Sequence, residues 1–128
     1  MKIKYIKDPH EPNLVLPIKV EKGDSALSVF SPADYELDPG GVALISLGYS
    51  LEMPKGYVAK IHAAPGLDRW NATFGVQTTV FNNGERLSVS LSNRSLRDNL
   101  RIKAGDRIAM FVVEKTEEVE LNSEENAN

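Results

Sequence analysis

Short runs that alternate apolar and polar residues, each closed by a Pro, Gly or Asn turn signal, leave this chain almost no room for a helix. Residues 2–6, 14–20, 26–30, 41–47, 49–53, 57–62, 74–81, 86–92 and 107–114 are rich in Val, Ile, Leu, Thr and Ser. They step with a period of two, the pattern of half-buried strands. Nine such strands in 128 residues predict an all-β sandwich, barrel or jelly roll. The punctuation agrees. Asp38-Pro39-Gly40-Gly41 and Met53-Pro54-Lys55-Gly56 set Pro where its fixed φ suits the second turn position and Gly where a positive φ is commonly required. Asn82-Asn83-Gly84, between two alternating runs, reads as a tight hairpin. In Leu87-Ser88-Val89-Ser90-Leu91 the apolar side chains share one face and the serines the other, so one face is buried and the other is solvated or meets a subunit. Residues 68–73 and 94–99 carry the weakest strand pattern and read as loop or helical turn.

Length and composition narrow the function. The chain fits one domain, residues 1–115, followed by an acidic tail, 116–128, that has too few large apolar groups to offset its ordering entropy and is expected to be disordered. Zero cysteines exclude thiol catalysis, disulfides and thiolate metal sites. A formal charge of -3 gives no basic field for gripping a phosphate backbone, so nucleic acid is not an expected partner. No apolar run approaches the roughly 18 to 20 residues that cross a bilayer, and the first residues lack a continuous apolar core of the secretory type. The expectation is a soluble, cytoplasmic protein with no membrane partner. His10 and His62 are the only histidines, too few for a multi-histidine metal site. No Gly-x-Ser-x-Gly elbow supports a serine hydrolase.

Four segments, in order and spacing, resemble the framework of the trimeric dUTPases and of the dCTP deaminases that share their fold. They are Pro54-Lys55-Gly56-Tyr57-Val58-Ala59-Lys60-Ile61, the Gly66-Leu67 pair, Val89-Ser90-Leu91-Ser92-Asn93 and Gly105-Asp106-Arg107-Ile108-Ala109. The resemblance spans roughly residues 23–115. It implies a jelly-roll-like β-barrel of the β-clip type, assembled as a homotrimer with three sites between subunits.

The side chains that such a family uses for chemistry are replaced here. Where the resemblance implies an Asp that holds the magnesium-bound triphosphate region, Asp24-Ser25-Ala26-Leu27-Ser28-Val29 places Ser28, and a hydroxyl lacks the charge a hard cation prefers. Where it implies Pro-Arg-Ser-Gly-Leu, the chain has Ala63-Ala64-Pro65-Gly66-Leu67, which lacks the guanidinium fork and one backbone donor. Where it implies a hairpin Asp that orients water and a Tyr that packs on deoxyribose, residues 75–87 contain neither. Asn82 could hold a water, but an amide cannot act as a general base. Met110 stands where the fourth motif ends in Gln, and residues 116–128 contain no glycine for a phosphate-closing arm. The Asp106 and Arg107 pair reads as a structural anchor for the turn before the last core strand. The deaminase alternative loses its base too, since its Glu position is Ser90.

These substitutions lead to the expectation of a dUTPase-like protein, of viral or phage kind, that has lost hydrolysis. On that reading it has no catalytic residue, metal ligand or cofactor, and it binds a nucleotide-like small molecule or a protein in the old intersubunit cleft. Backbone groups of Asn82, Asn83 and Gly84 would read a base edge. Gly66 and Leu67 would floor the pocket, and Arg69 would reach back towards a ligand. One alternative is an active dUTP hydrolase, using magnesium, whose carboxylates come from Asp24, Asp68 and Glu85. Another is a trimeric structural or decoration protein.

Overall fold

The computed structural model describes residues 1–20, 23, 26–63 and 74–124. Ten strands run in chain order: β1 (Lys4–Lys7), β2 (Leu27–Phe30), β3 (Tyr35–Leu37), β4 (Val42–Glu52), β5 (Tyr57–His62), β6 (Phe74–Val76), β7 (Thr79–Phe81), β8 (Arg86–Asn93), β9 (Leu100–Ile102) and β10 (Arg107–Lys115). They form a sheet in the order β1-β4-β8-β6, a second in the order β2-β10-β5-β7, and a small pair β3-β9. Every pairing in the three sheets is antiparallel. This is the all-β, jelly-roll-like architecture that the alternation predicts.

Period-two alternation decides which side chains meet. Ala43 pairs with Leu91 and Ile45 with Val89 across β4 and β8, while Val42, Leu44 and Ser46 face Ser92, Ser90 and Ser88 on the other surface. Ile45, Val89 and Leu91 from the first sheet join Val29, Ile61, Ile108 and Phe111 from the second in one buried cluster. Each fully buried aliphatic side chain there contributes roughly 1.5–3 kcal/mol.

Several boundaries differ from the pattern read in the sequence, each for a local reason. Residues 41–47 and 49–53, expected as two strands, are the single strand β4, whose register slips between Ser46 and Ser50. Gly48, at φ 85°, absorbs that bulge. Residues 74–81 split because the chain passes from one sheet to the other between Val76 and Thr79. Residues 14–20 form no strand: Pro17 interrupts the run of donors, leaving the Ile18 to Ser28 bridge and the Val15 amide on the Leu47 carbonyl at 2.9 Å. β3 and β9 carry no readable alternation because each is three residues long with a charged residue at its centre. They pair Glu36 against Arg101, with Arg101 Nε 3.4 Å from the carboxylate. The side-chain donor of Asn99 and then Arg101 hold the Glu36 carboxyl below its ordinary range.

Asp8 is buried and ties the N-terminal segment down. Its amide donates to the Gly48 carbonyl, and its carboxylate accepts from the His10 amide and meets Arg86 at 3.2 Å. Tyr49 is buried beneath Tyr5, their rings edge to face at 5.9 Å. Burial pushes the Tyr49 phenol well above its ordinary range. The unfolded chain ionises that phenol near pH ~10 and the folded chain cannot. Its contribution is therefore whole below about pH 10 and is lost as pH rises further. Thermal melts across pH 8 to 11 are expected to show Tyr49→Phe losing less stability than the parent on the alkaline side. Parallel loss in both chains would contradict this.

Candidate functional site

Three positions singled out in the sequence fall in one cross-strand row. In the sheet β2-β10-β5, Met110 lies opposite Ser28 on one side and opposite His62 on the other. Directly opposed residues share a face, so Ser28, Met110 and His62 line one surface. Two strand spacings put Ser28 roughly 10 Å from His62. Their neighbours Phe111 and Ile61 turn the other way into the core. Ser28 is buried, and Met110 and His62 are half-buried. The turn leading into β10 fixes this row: Asp106 accepts from the Lys103 amide at 2.8 Å, Asp34 accepts from Ala104 at 2.7 Å, and Ser31 donates to the Asp106 carbonyl. Asp106 therefore serves as the anchor expected of it.

In the sequence His62 stands only as the last residue of the expected strand 57–62. The register makes it the proton-carrying side chain beside Met110, a relation that only the β5 to β10 pairing reveals. A hydroxyl, a thioether and an imidazole offer no charged oxygen, so this row does not fit magnesium on its own. Among the described residues no group of three or more His, Asp or Glu could hold a metal ion.

The other predicted site residues separate into two groups. Gly66, Leu67 and Arg69, with the alternative carboxylates Asp24 and Asp68, lie outside the described residues. Asn82, Asn83 and Gly84 form the turn between β7 and β8, but not the expected hairpin, because β7 pairs with β5 in one sheet and β8 with β4 and β6 in the other. Much of the turn's hydrogen-bonding capacity is already used. Asn83 Oδ1 accepts from the Met53 amide at 2.7 Å, and the Gly84 amide donates to the Leu51 carbonyl at 3.0 Å. The Glu85 carboxylate accepts from both the amide and the side chain of Asn82. Asn83 and Gly84 thus dock the turn on the end of β4, and Glu85 braces Asn82.

The turn and the row also lie apart. Phe81 pairs with Ala59, so Asn82 continues alongside Val58, four residues or roughly 13 Å along β5 from His62.

Comparison with known proteins resolves the family. The family model for dUTPase matches residues 13–128. A deoxyuridine 5'-triphosphate nucleotidohydrolase of Mycolicibacterium gilvum is 34% identical over 114 residues, covering 87% of this chain and 74% of that protein. The corresponding protein of Mycobacterium leprae is 33% identical over the same shares. Among solved structures, a dUTPase from phage phi11 of Staphylococcus aureus has a TM-score of 0.83 at 18% identity, over 99% of both chains. A Staphylococcus bacteriophage 80alpha dUTPase has 0.82 at 20%, over 98% of this chain and 89% of that one. These two show the fold.

The relatives correct one expectation. The reading of lost hydrolysis rested on replacements in five motifs, yet about a third of all aligned residues are shared with proteins named as dUTP nucleotidohydrolases. Missing side chains at inherited positions were given too much weight, since residues at other positions can supply the same charges. Helices do not enter the account: no helix among the described residues is long and apolar enough to cross a membrane. By the match of the family model and the identity of its relatives, the chain belongs to the dUTPase family.

Proposed function

We propose that this protein hydrolyses dUTP, taken as its magnesium complex, to dUMP and pyrophosphate, as a homotrimer acting in the cytoplasm. The observation that carries this reading is the 32–34% identity, over 87% of the chain, to proteins named as dUTP nucleotidohydrolases. The 13 Å or so between the Ser28, Met110 and His62 row and the Asn82 to Gly84 turn supports a cleft completed by a neighbouring subunit. The reaction needs a group to orient and deprotonate water and positive charge to bind phosphate. With Ser28 and Ala64 at the inherited positions, Asp24 and Asp68 are the carboxylates assigned to the water and the substrate metal, and Arg69 the cation assigned to phosphate. Glu85 contributes indirectly, because its carboxylate already holds Asn82.

Steady-state pyrophosphate release from magnesium dUTP tests the assignment. Asp24→Asn and Asp68→Asn are each expected to cut kcat by about 100-fold or more, the usual worth of a positioned base or hard ligand. Glu85→Gln is expected to stay within about threefold, since an amide still accepts one of the two Asn82 bonds. Full activity in both Asp variants would overturn the assignment of those residues.

A further inference from the structure

One peptide link of this chain is reactive as well as structural. Asn83-Gly84 is the single Asn-Gly pair in the sequence, and both residues are exposed to water. In such a pair the backbone nitrogen of the glycine can attack the side-chain carbonyl carbon of the asparagine, because no Cβ crowds the approach. The new C–N bond closes a five-membered succinimide. The side-chain nitrogen takes up the proton that the glycine nitrogen gives up and leaves as ammonia. Water then adds to one of the two imide carbonyls and opens the ring, giving aspartate or isoaspartate. In isoaspartate the main chain runs through the former side chain.

The fold ties down both reacting groups. The Gly84 amide donates its hydrogen to the Leu51 carbonyl at 3.0 Å, and the Asn83 side-chain oxygen accepts from the Met53 amide at 2.7 Å. Both partners lie at the end of β4, so the Asn83 side chain is held across on that strand rather than folded back over its own peptide. The turn is also closed on itself. The Glu85 amide donates to the Asn82 carbonyl at 3.1 Å, and the Glu85 carboxylate accepts from the Asn82 amide and side chain at 3.1 and 2.8 Å. Gly84, at φ 85°, takes the third position of this four-residue turn, where a positive φ belongs to type II. Ring closure needs the Gly84 nitrogen to shed its proton and the Asn83 side chain to swing onto it. Both bonds to β4 must open first.

We propose that Asn83-Gly84 is a latent modification site, closed to succinimide formation while the turn is docked on β4 and opened when the turn lifts off. Such a local opening costs less free energy than global unfolding. The two products differ in what they do to the fold. Aspartate at position 83 still offers an oxygen to the Met53 amide and lets the turn redock. Isoaspartate puts an extra methylene into the main chain ahead of Gly84, which carries the Gly84 amide off the Leu51 carbonyl. Lift-off of the turn therefore leaves a permanent mark at this position. The inference is independent of the proposed hydrolysis, because ring closure involves no nucleotide.

Asn122-Ser123 supplies an internal comparison. It lies in the exposed segment after β10, and the serine side chain crowds its nitrogen, so it is intrinsically the slower pair. Peptide mapping by mass spectrometry of the full chain, aged at mildly alkaline pH both folded and in concentrated urea, tests the proposal. In urea Asn83 is expected to deamidate ahead of Asn122. In the folded chain the order should reverse, with Asn83 at least about 100-fold slower than in urea. That slowing should match, within about threefold, the protection of the Gly84 amide against hydrogen exchange, since one opening exposes both. Glu85→Ala removes the brace on Asn82 and should speed the folded-state reaction at least about threefold, the worth of a lost surface hydrogen bond. Asn83 reacting ahead of Asn122 in the folded chain, a folded rate equal to that in urea, or an Asn83 that stays intact even in urea would overturn the proposal.

Discussion

Asn93→Ala is expected to destabilise the fold by about 3–5 kcal/mol, the range of losing a buried polar network. Asn93 is 1% exposed and joins three parts of the chain. Its side-chain amide donates to the carbonyls of Leu37 at 3.0 Å, Asp38 at 3.3 Å and Asp98 at 2.7 Å. Its side-chain oxygen accepts from the Ser95 amide at 3.0 Å. With two hydrogens for three carbonyls, one is shared. The backbone of the same residue exchanges bonds with Gly40 and Gly41. One side chain therefore holds the β3 to β4 turn against the loop that leads to β9. Removing it strands the buried Leu37 carbonyl, an unpaired acceptor worth roughly 1–3 kcal/mol, and breaks the part-buried bonds to Asp38 and Asp98 that hold the loops together. Asn93→Asp should be no better despite its identical shape, because a carboxylate would point an anionic oxygen at the three carbonyls. Denaturant melts of the two variants check this. Stability within 1 kcal/mol or so of the parent in the Asp variant would show that the donor is dispensable.

Gly48→Ala should cost a similar amount, about 3–5 kcal/mol, and should do so through the backbone. A Cβ at position 48 would overlap the Asn13 carbonyl oxygen and come within 3.4 Å of Leu14 Cα. Both obstacles are main chain and cannot swing away. The positive φ adds roughly 1–2 kcal/mol for any L side chain. The segment pushed off would lose the Val15 to Leu47 and Asp8 to Gly48 bonds, so limited proteolysis should open the chain near residues 9–16. Gly84 is the control. It has the same φ of 85°, but an added Cβ there meets nothing within 4 Å, and Gly84→Ala should cost only about 1–2 kcal/mol. Equal costs at the two positions would mean that strain alone governs Gly48.

The sheets were legible in the sequence because their strands alternate cleanly. Leu87 to Leu91 shows its buried and serine faces without any tertiary information, and Asn82-Asn83-Gly84 announces its turn. What stayed hidden depends on pairing. Nothing local says that residues 35–37 and 100–102 find each other 65 residues apart, or that 14–20 fails as a strand once Pro17 interrupts its donors. The site follows the same division. Ser28 and Met110 stand out as replacements against the family framework, but their junction with His62 is a matter of register across three strands. The mistaken step was chemical: absent side chains at inherited positions were read as absent activity. Shared identity across most of the chain with named dUTP nucleotidohydrolases outweighs the replacements in those motifs.

The central claim is that this dUTPase-family chain turns over its nucleotide without the inherited Asp, Arg and Tyr side chains. Phosphorus NMR of the purified full chain with magnesium and dUTP tests it most directly. The account predicts dUMP and pyrophosphate appearing in equal amounts, at a rate proportional to enzyme concentration. dUTP that remains intact over hours at micromolar enzyme, in a sample shown to be folded by its melt, would contradict it.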